Sequence, residues 1–356
     1  IIDYEKAYQY MVEYTTKTFA LKGEKVVQMN IDAITKAIDY LEKIDIPSEW
    51  QNLANNNHPN GCGNEYFDKF ASPVLKGKGD SLKVSAFSPD GSVPTATTQF
   101  EKRGISDKVS SWIKENCIQC NQCAFVCPHA CIRPVLLENN DNIPATFEMI
   151  NAIQPKGQYF RLQISPLDCT GCGSCINVCP APKKALEYKP LSTQKTAQKE
   201  NWEFAKNHEN SNAVINKKQV KGVGFARQLF EFSGACAGCG ETPYVKLATT
   251  LFGDSMIIAN ATGCSSIYGG SAPTCPFAKT NDGKGPAWAN SLFEDNAEFG
   301  YGISLGANNR RKKLKEIAKK LVENRYENEI LTNWLNTFSD KKLTQEDSKI
   351  LYENIH

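Results

Sequence analysis

Apolar positions in the first 45 residues recur at helical spacing. Residues 3 to about 45 read as two helices parted at Gly23, the second carrying Ile31, Ile34, Ile38 and Leu41 on one side and ending before Pro47. From Trp50 to Gly104 that period disappears. Asn60-Gly61, Pro89-Asp90-Gly91 and single prolines punctuate a stretch rich in Asn, Gly, Pro and Ser, which predicts turns and connecting structure. Between Lys189 and about Lys221 the chain is polar without sustained periodicity, and 191–229 reads as a linker. A helix and then a buried strand follow. Thr242 is placed as an N-cap with Pro243 at the first helical position, and Met256-Ile257-Ile258-Ala259 is the strand. The strand runs into Thr262-Gly263-Cys264-Ser265-Ser266, where a parallel sheet would present ligand-binding residues at its carboxyl edge. After Asn308, Leu314, Ile317, Leu321 and Val322 share a helical face among Arg310, Arg311, Lys312, Lys313, Lys315, Lys319 and Lys320. That is a solvated helix, or a basic face for an acidic partner or a membrane.

Length and charge narrow the class. With 356 residues the chain has material for two or three domains. Its 41 basic and 39 acidic side chains nearly cancel, so no nucleic-acid partner is expected, and no stretch approaches a membrane span. The sequence opens Ile1-Ile2-Asp3 without Met, basic leader or apolar core. Neither a true N-terminus nor a targeting peptide is visible, and a piece of a longer protein is expected.

The 14 cysteines change the picture most. Eight fall in two identical runs, Cys117-x2-Cys120-x2-Cys123-x3-Cys127-Pro128 and Cys169-x2-Cys172-x2-Cys175-x3-Cys179-Pro180, the only internal repeat. Secreted disulfide frameworks do not repeat this pattern, so a reducing compartment is expected. Three cysteines in such close succession coil the backbone around a 4Fe–4S core, and in two-cluster ferredoxins the fourth crosses to the other cluster. The expected sets are therefore Cys117, Cys120, Cys123 with Cys179, and Cys169, Cys172, Cys175 with Cys127. A pair of zinc sites is the alternative, but zinc does not need three cysteines so close together twice over. Cys131 is left over once both clusters are satisfied, His129 reads as a packing or surface residue, and Cys62 reads as an isolated thiol.

A third set is weaker by itself. Cys236-x2-Cys239 also suits zinc ribbons and redox dithiols, but glycines border it and Cys264 follows 25 residues later in a Gly-Cys-Ser-Ser turn. Three thiolates from two turns could hold a third cluster, one ligand short. Cys275, beyond Pro273, is a poor fourth.

Several stretches in order carry a family resemblance: Lys25 to Asn30, Gly79 to Phe87, Glu101 to Ile105, Cys117 to Pro134, Gly234 to Lys246, and Asn290 to Gly300. The chain resembles a central-to-C-terminal portion of the pyruvate:ferredoxin (flavodoxin) oxidoreductases. The resemblance implies an α+β and α/β multidomain architecture. Residues 1–50 would end a preceding domain, 51–104 connect, 105–190 form a two-cluster ferredoxin-like domain, and 230–356 begin a thiamine-diphosphate-binding α/β domain. It further implies that Cys236, Cys239 and Cys264 hold a third cluster whose fourth ligand lies beyond the chain. Glu241 and Cys264 would contact thiamine diphosphate, and Asn30 would touch coenzyme A. The magnesium motif and the substrate-binding first domain lie outside, so this stretch alone should not turn over pyruvate.

For the whole enzyme the implied reaction is oxidative decarboxylation of pyruvate to acetyl-CoA and carbon dioxide, with electrons leaving singly through the clusters to ferredoxin or flavodoxin. A homodimer in the cytoplasm or in a hydrogenosome-like organelle is expected. A pyruvate:NADP oxidoreductase core, a pure electron carrier and an enzyme for another 2-oxo acid are the rivals.

Overall fold

A computed structural model describes residues 2–52, 61–138, 143–208, 216–271, 273–324 and 329–355. The chain divides into two units, residues 1–60 and 61–356. In the first, helix α1 (Tyr4–Phe19) begins at Asp3, whose carboxylate accepts from the Lys6 amide at 3.3 Å, satisfying one of the orphan donors of the first turn. Gly23, at φ +95°, breaks the chain as expected before α2 (Glu24–Lys36). The second helix is shorter than its apolar spacing suggests: Ala37–Tyr40 tightens to a 3-10 turn and Leu41 is extended. The Asn60-Gly61 turn lies partly outside the described residues.

In the second unit, residues 61–104 form short turns and one brief helix, α3 (Ser72–Leu75). Aromatic contacts hold the stretch together, with Tyr66 stacked on Phe70 at 5.1 Å and Phe70 edge-on to Phe87 at 5.0 Å. Pro89-Asp90-Gly91 is the turn its sequence predicts, with the Gly91 amide donating to Ser88 O at 3.0 Å. Cys62 is exposed, and its amide donates to Asp68 Oδ1 at 2.8 Å.

Each cysteine run lies between an entry strand and an exit strand. The first half is β1 (Lys108–Trp112), the run, α4 (Gln122–Val126) and β2 (Ile132–Leu137). After the short β3 (Ile150–Asn151), the second half is β4 (Tyr159–Ile164), the run, α5 (Ser174–Val178) and β5 (Leu186–Pro190). Pairing crosses between halves: β2 lies antiparallel to β4 with Ile132 opposite Ile164, and β1 antiparallel to β5 with Trp112 opposite Leu186. Each run's end is thereby set beside the other run's start. Phe160, Leu136, Leu162, Ile164 and Leu186 fill the core between the sheets and the cysteines.

The described residues of the stretch expected as a linker carry helices. It contains α6 (Leu191–Gln194), α7 (Ala197–Asn207) and α8 (Val220–Val223), and α7 buries Asn201, Trp202 and Ala205. Trp202 packs edge-on to Phe232 at 5.9 Å, and Phe204 edge-on to Phe147 at 4.8 Å. Three well-placed residues suffice to bury one side of a helix whose mean composition is polar.

Beyond it, α9 (Thr242–Phe252) leads to β6 (Ile257–Asn260) and the single turn α10 (Cys264–Ser266). Thr242 is the first helical residue rather than the cap, a position taken by Glu241. β6 pairs in parallel with β7 (Ala287–Asn290), so this region carries one parallel pair within an otherwise mixed helix-and-sheet unit.

Three helices follow, α11 (Asn296–Glu323), α12 (Glu329–Thr337) and α13 (Lys341–Ile355), packed around Ala318, Leu331 and Trp334. The apolar stripe expected on α11 is only partly used. Ala318 and Val322 face the core, while Leu314, Ile317 and Leu321 stay exposed, and Arg311 and Lys315 lie over the Phe338 ring at 4.9 and 4.5 Å. Among the described residues no helix is long and apolar enough to cross a membrane.

Candidate metal centre

The two runs wrap identically because both backbones turn left-handed at the same two places. Gly171 and Gly173 have φ of +66° and +78°; Gln119 and Asn121, at the matching positions of the first run, have +56° and +61°. Glycine adopts this conformation freely, whereas a residue with a Cβ needs compensation. Gln119 obtains it by donating from Nε2 to Asn151 O at 2.7 Å and accepting the Ile153 amide at 2.8 Å. Asn121 donates to Lys221 O at 2.8 Å.

The crossed sheet brings cysteines of the two runs together. Cys117, Cys120, Cys123 and Cys179 line one pocket, closed by Ile118, Asn121, Leu162, Ala185 and Leu186. Cys127 lies with the second run: its charge acts on Cys169 and Cys175, which also feel Cys172. Burial, with mutual repulsion of the thiolates adding to it, pushes Cys117, Cys123 and Cys169 up, and Cys175 up to about 12. Cys127 goes the other way, chiefly through its hydrogen bond with the Cys131 side chain. Thiols packed this closely in apolar surroundings ionise together only around a compensating cationic core, and so they fit an inorganic cluster. Among the described residues no group of three or more Cys, His, Asp or Glu is spaced to hold a single metal ion. A cubane needs its thiolates spread around a core instead of converged on a point.

Cys131 is buried beside Cys127, its thiol donating to Asp168 O at 3.0 Å and its amide to Cys127 Sγ at 3.3 Å. His129 is buried too. Its Nδ1 lies 3.1 Å from Ser233 O and its Nε2 3.2 Å from Cys236 O, so this packing residue joins the first run to the third cysteine set.

That third set sits against the second run. A Cβ on Gly238, between Cys236 and Cys239, would lie 3.5 Å from Cys172 Cβ. The Tyr268 hydroxyl is buried near the third set. Burial raises its pKa, the charge of Glu241 and hydrogen bonding to it raise it further, and the charges of Cys239 and Cys264 add to this, which puts all three near the one hydroxyl. Glu241, Cys236 and Cys264 are exposed. Cys275 packs with Phe230 and Phe277, its amide donating to Thr97 Oγ1 at 2.8 Å. In the first unit the Asn30 amide turns back onto its own helix, donating to Val26 O at 2.8 Å.

Several residues that build the centre carried no role in the sequence reading. Lys102 forms a 2.5 Å ion pair with Asp168, just before the second run, and Arg103 donates to Phe232 O and Ser233 O at 3.1 and 3.0 Å, just before the third. Lys246 of α9 is 4% exposed, and its Nζ donates to Ala124 O at 2.6 Å and Cys127 O at 2.7 Å. Burial lowers its pKa to about 8, an effect that the Cys127 charge opposes. Only the fold reveals its role: α9 buries Thr242, Lys246, Thr249 and Thr250 and exposes Tyr244, Leu251 and Phe252, an inverted amphipathicity.

Fold and cysteine geometry together define an iron–sulfur domain of the dicluster ferredoxin type, and a family model described as a 4Fe-4S dicluster domain matches residues 116–183. A second model, described as a domain of unknown function, matches residues 56–106. Among whole proteins, the chain is 48% identical to the pyruvate:ferredoxin oxidoreductase of Moorella thermoacetica and 45% identical to the pyruvate-flavodoxin oxidoreductase of Enterobacter agglomerans. Each match covers 91% of this chain and 28% of the relative. The mitochondrial NADP+ pyruvate dehydrogenase of Euglena gracilis is 40% identical over 98% of the chain and 20% of its own length. The chain is thus homologous to one segment of the pyruvate:ferredoxin and pyruvate:flavodoxin oxidoreductases, spanning just over a quarter of their length.

Proposed function

We propose that this chain is the electron-exit segment of an enzyme that oxidatively decarboxylates pyruvate to acetyl-CoA and carbon dioxide. Cys117, Cys120, Cys123 and Cys179 hold one 4Fe–4S cluster, and Cys127, Cys169, Cys172 and Cys175 a second. Cys236, Cys239 and Cys264 hold three corners of a third, whose fourth ligand lies outside the chain. The observation that carries the reading is the pocket in which Cys179 joins Cys117, Cys120 and Cys123 across 55 residues of intervening chain.

The approach of Gly238 to Cys172 supports reading the third cysteine set as the neighbour of the second run. Electrons would enter at Cys236, Cys239 and Cys264 and leave near Cys117 and the exposed Ile118, where ferredoxin or flavodoxin would dock. When bound, thiamine diphosphate supplies the carbanion stabilisation that decarboxylation of a 2-oxo acid needs. Glu241 and Cys264 would face that cofactor, with the buried Tyr268 hydroxyl near both. The magnesium site and the substrate pocket lie outside these residues. Asn30, hydrogen-bonded within its own helix, is the proposed coenzyme A contact for which the geometry offers least. Dimerisation and a cytoplasmic or organellar setting belong to the same proposal.

The test is anaerobic reconstitution of this chain with iron and sulfide counting. About eight of each, for the two complete cubanes, agrees with the reading, and stoichiometric zinc refutes it. In the whole protein, pyruvate- and coenzyme A-dependent reduction of ferredoxin or flavodoxin is expected. Reduction of NADP+ alone would favour the Euglena-type enzyme instead.

A further inference from the structure

We propose that Lys246 is a redox-tuning positioning residue: a buried cation, fixed between the two clusters of the dicluster domain, that makes both easier to reduce. Its ammonium donates to Ala124 O at 2.6 Å and Cys127 O at 2.7 Å. Ala124 follows Cys123, a corner of the first cluster, and Cys127 is a corner of the second. One side chain therefore reaches the backbone of both sites.

The charge balance is what makes this more than a strut. Buried cations are ordinarily paired with carboxylates. The groups acting most strongly on Lys246 are Cys127, Arg133, Cys131 and Cys123, none of them a carboxylate. Arg133 is itself committed to Glu231 at 2.6 Å, and it repels the ammonium instead of balancing it. The counter-charge that remains is the negative charge of the cysteinate-bound clusters. Each one-electron reduction adds one more negative charge, with the electron coming from the 2-oxo acid, and no proton is exchanged with the lysine. In a low-dielectric interior, a fixed cation stabilises the reduced form of each cluster over the oxidised one. The direction serves electron exit. Lys246 lies on the dicluster side of α9, whose other end, Glu241, opens onto the third cysteine set. A cation there pulls electrons away from the third set and toward the pair.

This inference rests on the cluster reading above, and iron and sulfide counts on every variant test that reading separately from the potential. The experiment is an EPR-monitored redox titration of the anaerobically isolated holoprotein, comparing wild type, K246Q and K246R. Gln keeps donors for the two carbonyls and removes only the charge; Arg keeps the charge. In K246Q at full iron content, the reduced-to-oxidised ratio of the dicluster pair at a fixed potential should fall at least tenfold, which is about 59 mV for one electron. K246R should stay within threefold of wild type. An unchanged midpoint in K246Q, or an equal shift in K246R, overturns the proposal. Should K246Q fail to load iron, the unaltered holoprotein decides, with lysine labelled at the side-chain nitrogen with nitrogen-15. ENDOR of the reduced state should show coupling of that nitrogen to the cluster spin, and absence of coupling overturns the assignment.

Discussion

Neutralising Glu231 is the sharpest stability test of how the dicluster domain is fastened to the rest of its unit. Glu231 accepts from Arg133 Nη2 at 2.6 Å, and the two side chains are 2% and 3% exposed. Solvent screening is therefore no discount. Arg133 also donates from Nε to Ala130 O at 2.9 Å, holding the turn between Cys127 and β2, and Arg227 approaches the other Glu231 oxygen at 3.5 Å. The Glu231 carboxylate thus meets a guanidinium group at each oxygen. E231Q removes the carboxylate charge from this buried Arg133–Glu231 pair, and breaking a buried pair from one side costs about 3–5 kcal/mol, roughly two to three and a half powers of ten. Because cluster loss makes unfolding irreversible, the assay is the rate at which the visible cluster absorbance bleaches in urea under anaerobic conditions. E231Q should bleach much faster than wild type. The R133M/E231M double variant removes both charges and fills the space with apolar atoms, so it should recover most of the loss. A single variant within 1 kcal/mol of wild type, or a double variant as labile as the single, would refute the reasoning.

Two further outcomes are expected. C179S should remove the cluster lined by Cys117, Cys120 and Cys123, leaving about four of about eight dicluster irons, whereas C131S should retain them all, as iron analysis will show. G171A places a Cβ at a φ of +66° and 2.8 Å from Lys108 O, a backbone atom that cannot swing aside. It should cost well over 1 kcal/mol and selectively weaken the cluster of the second run, which an EPR spin count can detect.

Spacing made the cysteine sets legible because a cubane imposes its own geometry on any chain that wraps it. Three thiols in seven residues and a fourth four positions on are what the proposed crossed sets rest on, and the pairing of β1 with β5 and β2 with β4 brings each run's end beside the other's start. The left-handed turns were visible only where glycine marks them. Gln119 and Asn121 occupy the same conformation, and their compensation comes from Asn151, Ile153 and Lys221, residues that only folding brings near. The same holds for α7: a polar composition concealed Trp202, because one buried aromatic outweighs many solvated side chains and periodicity averages over both. The basic helix α11 keeps Leu314, Ile317 and Leu321 exposed, as a solvated helix would. Which part of an apolar stripe is covered depends on α12 and α13, not on the stripe.

What the sequence determined by itself was local: the cysteine spacing, the Pro and Gly breaks, and the order of stretches shared with relatives. Tertiary structure alone decided the long-range charge arrangement. Lys246 is an ordinary lysine in an apolar helix until the fold sets its ammonium against Ala124 and Cys127, and Glu101-Lys102-Arg103 is an unremarkable charged triplet until Asp168 and Ser233 arrive beside it. The physical reason is that the energy of a charge depends on what surrounds it in space, and neighbours in space are not neighbours along the chain.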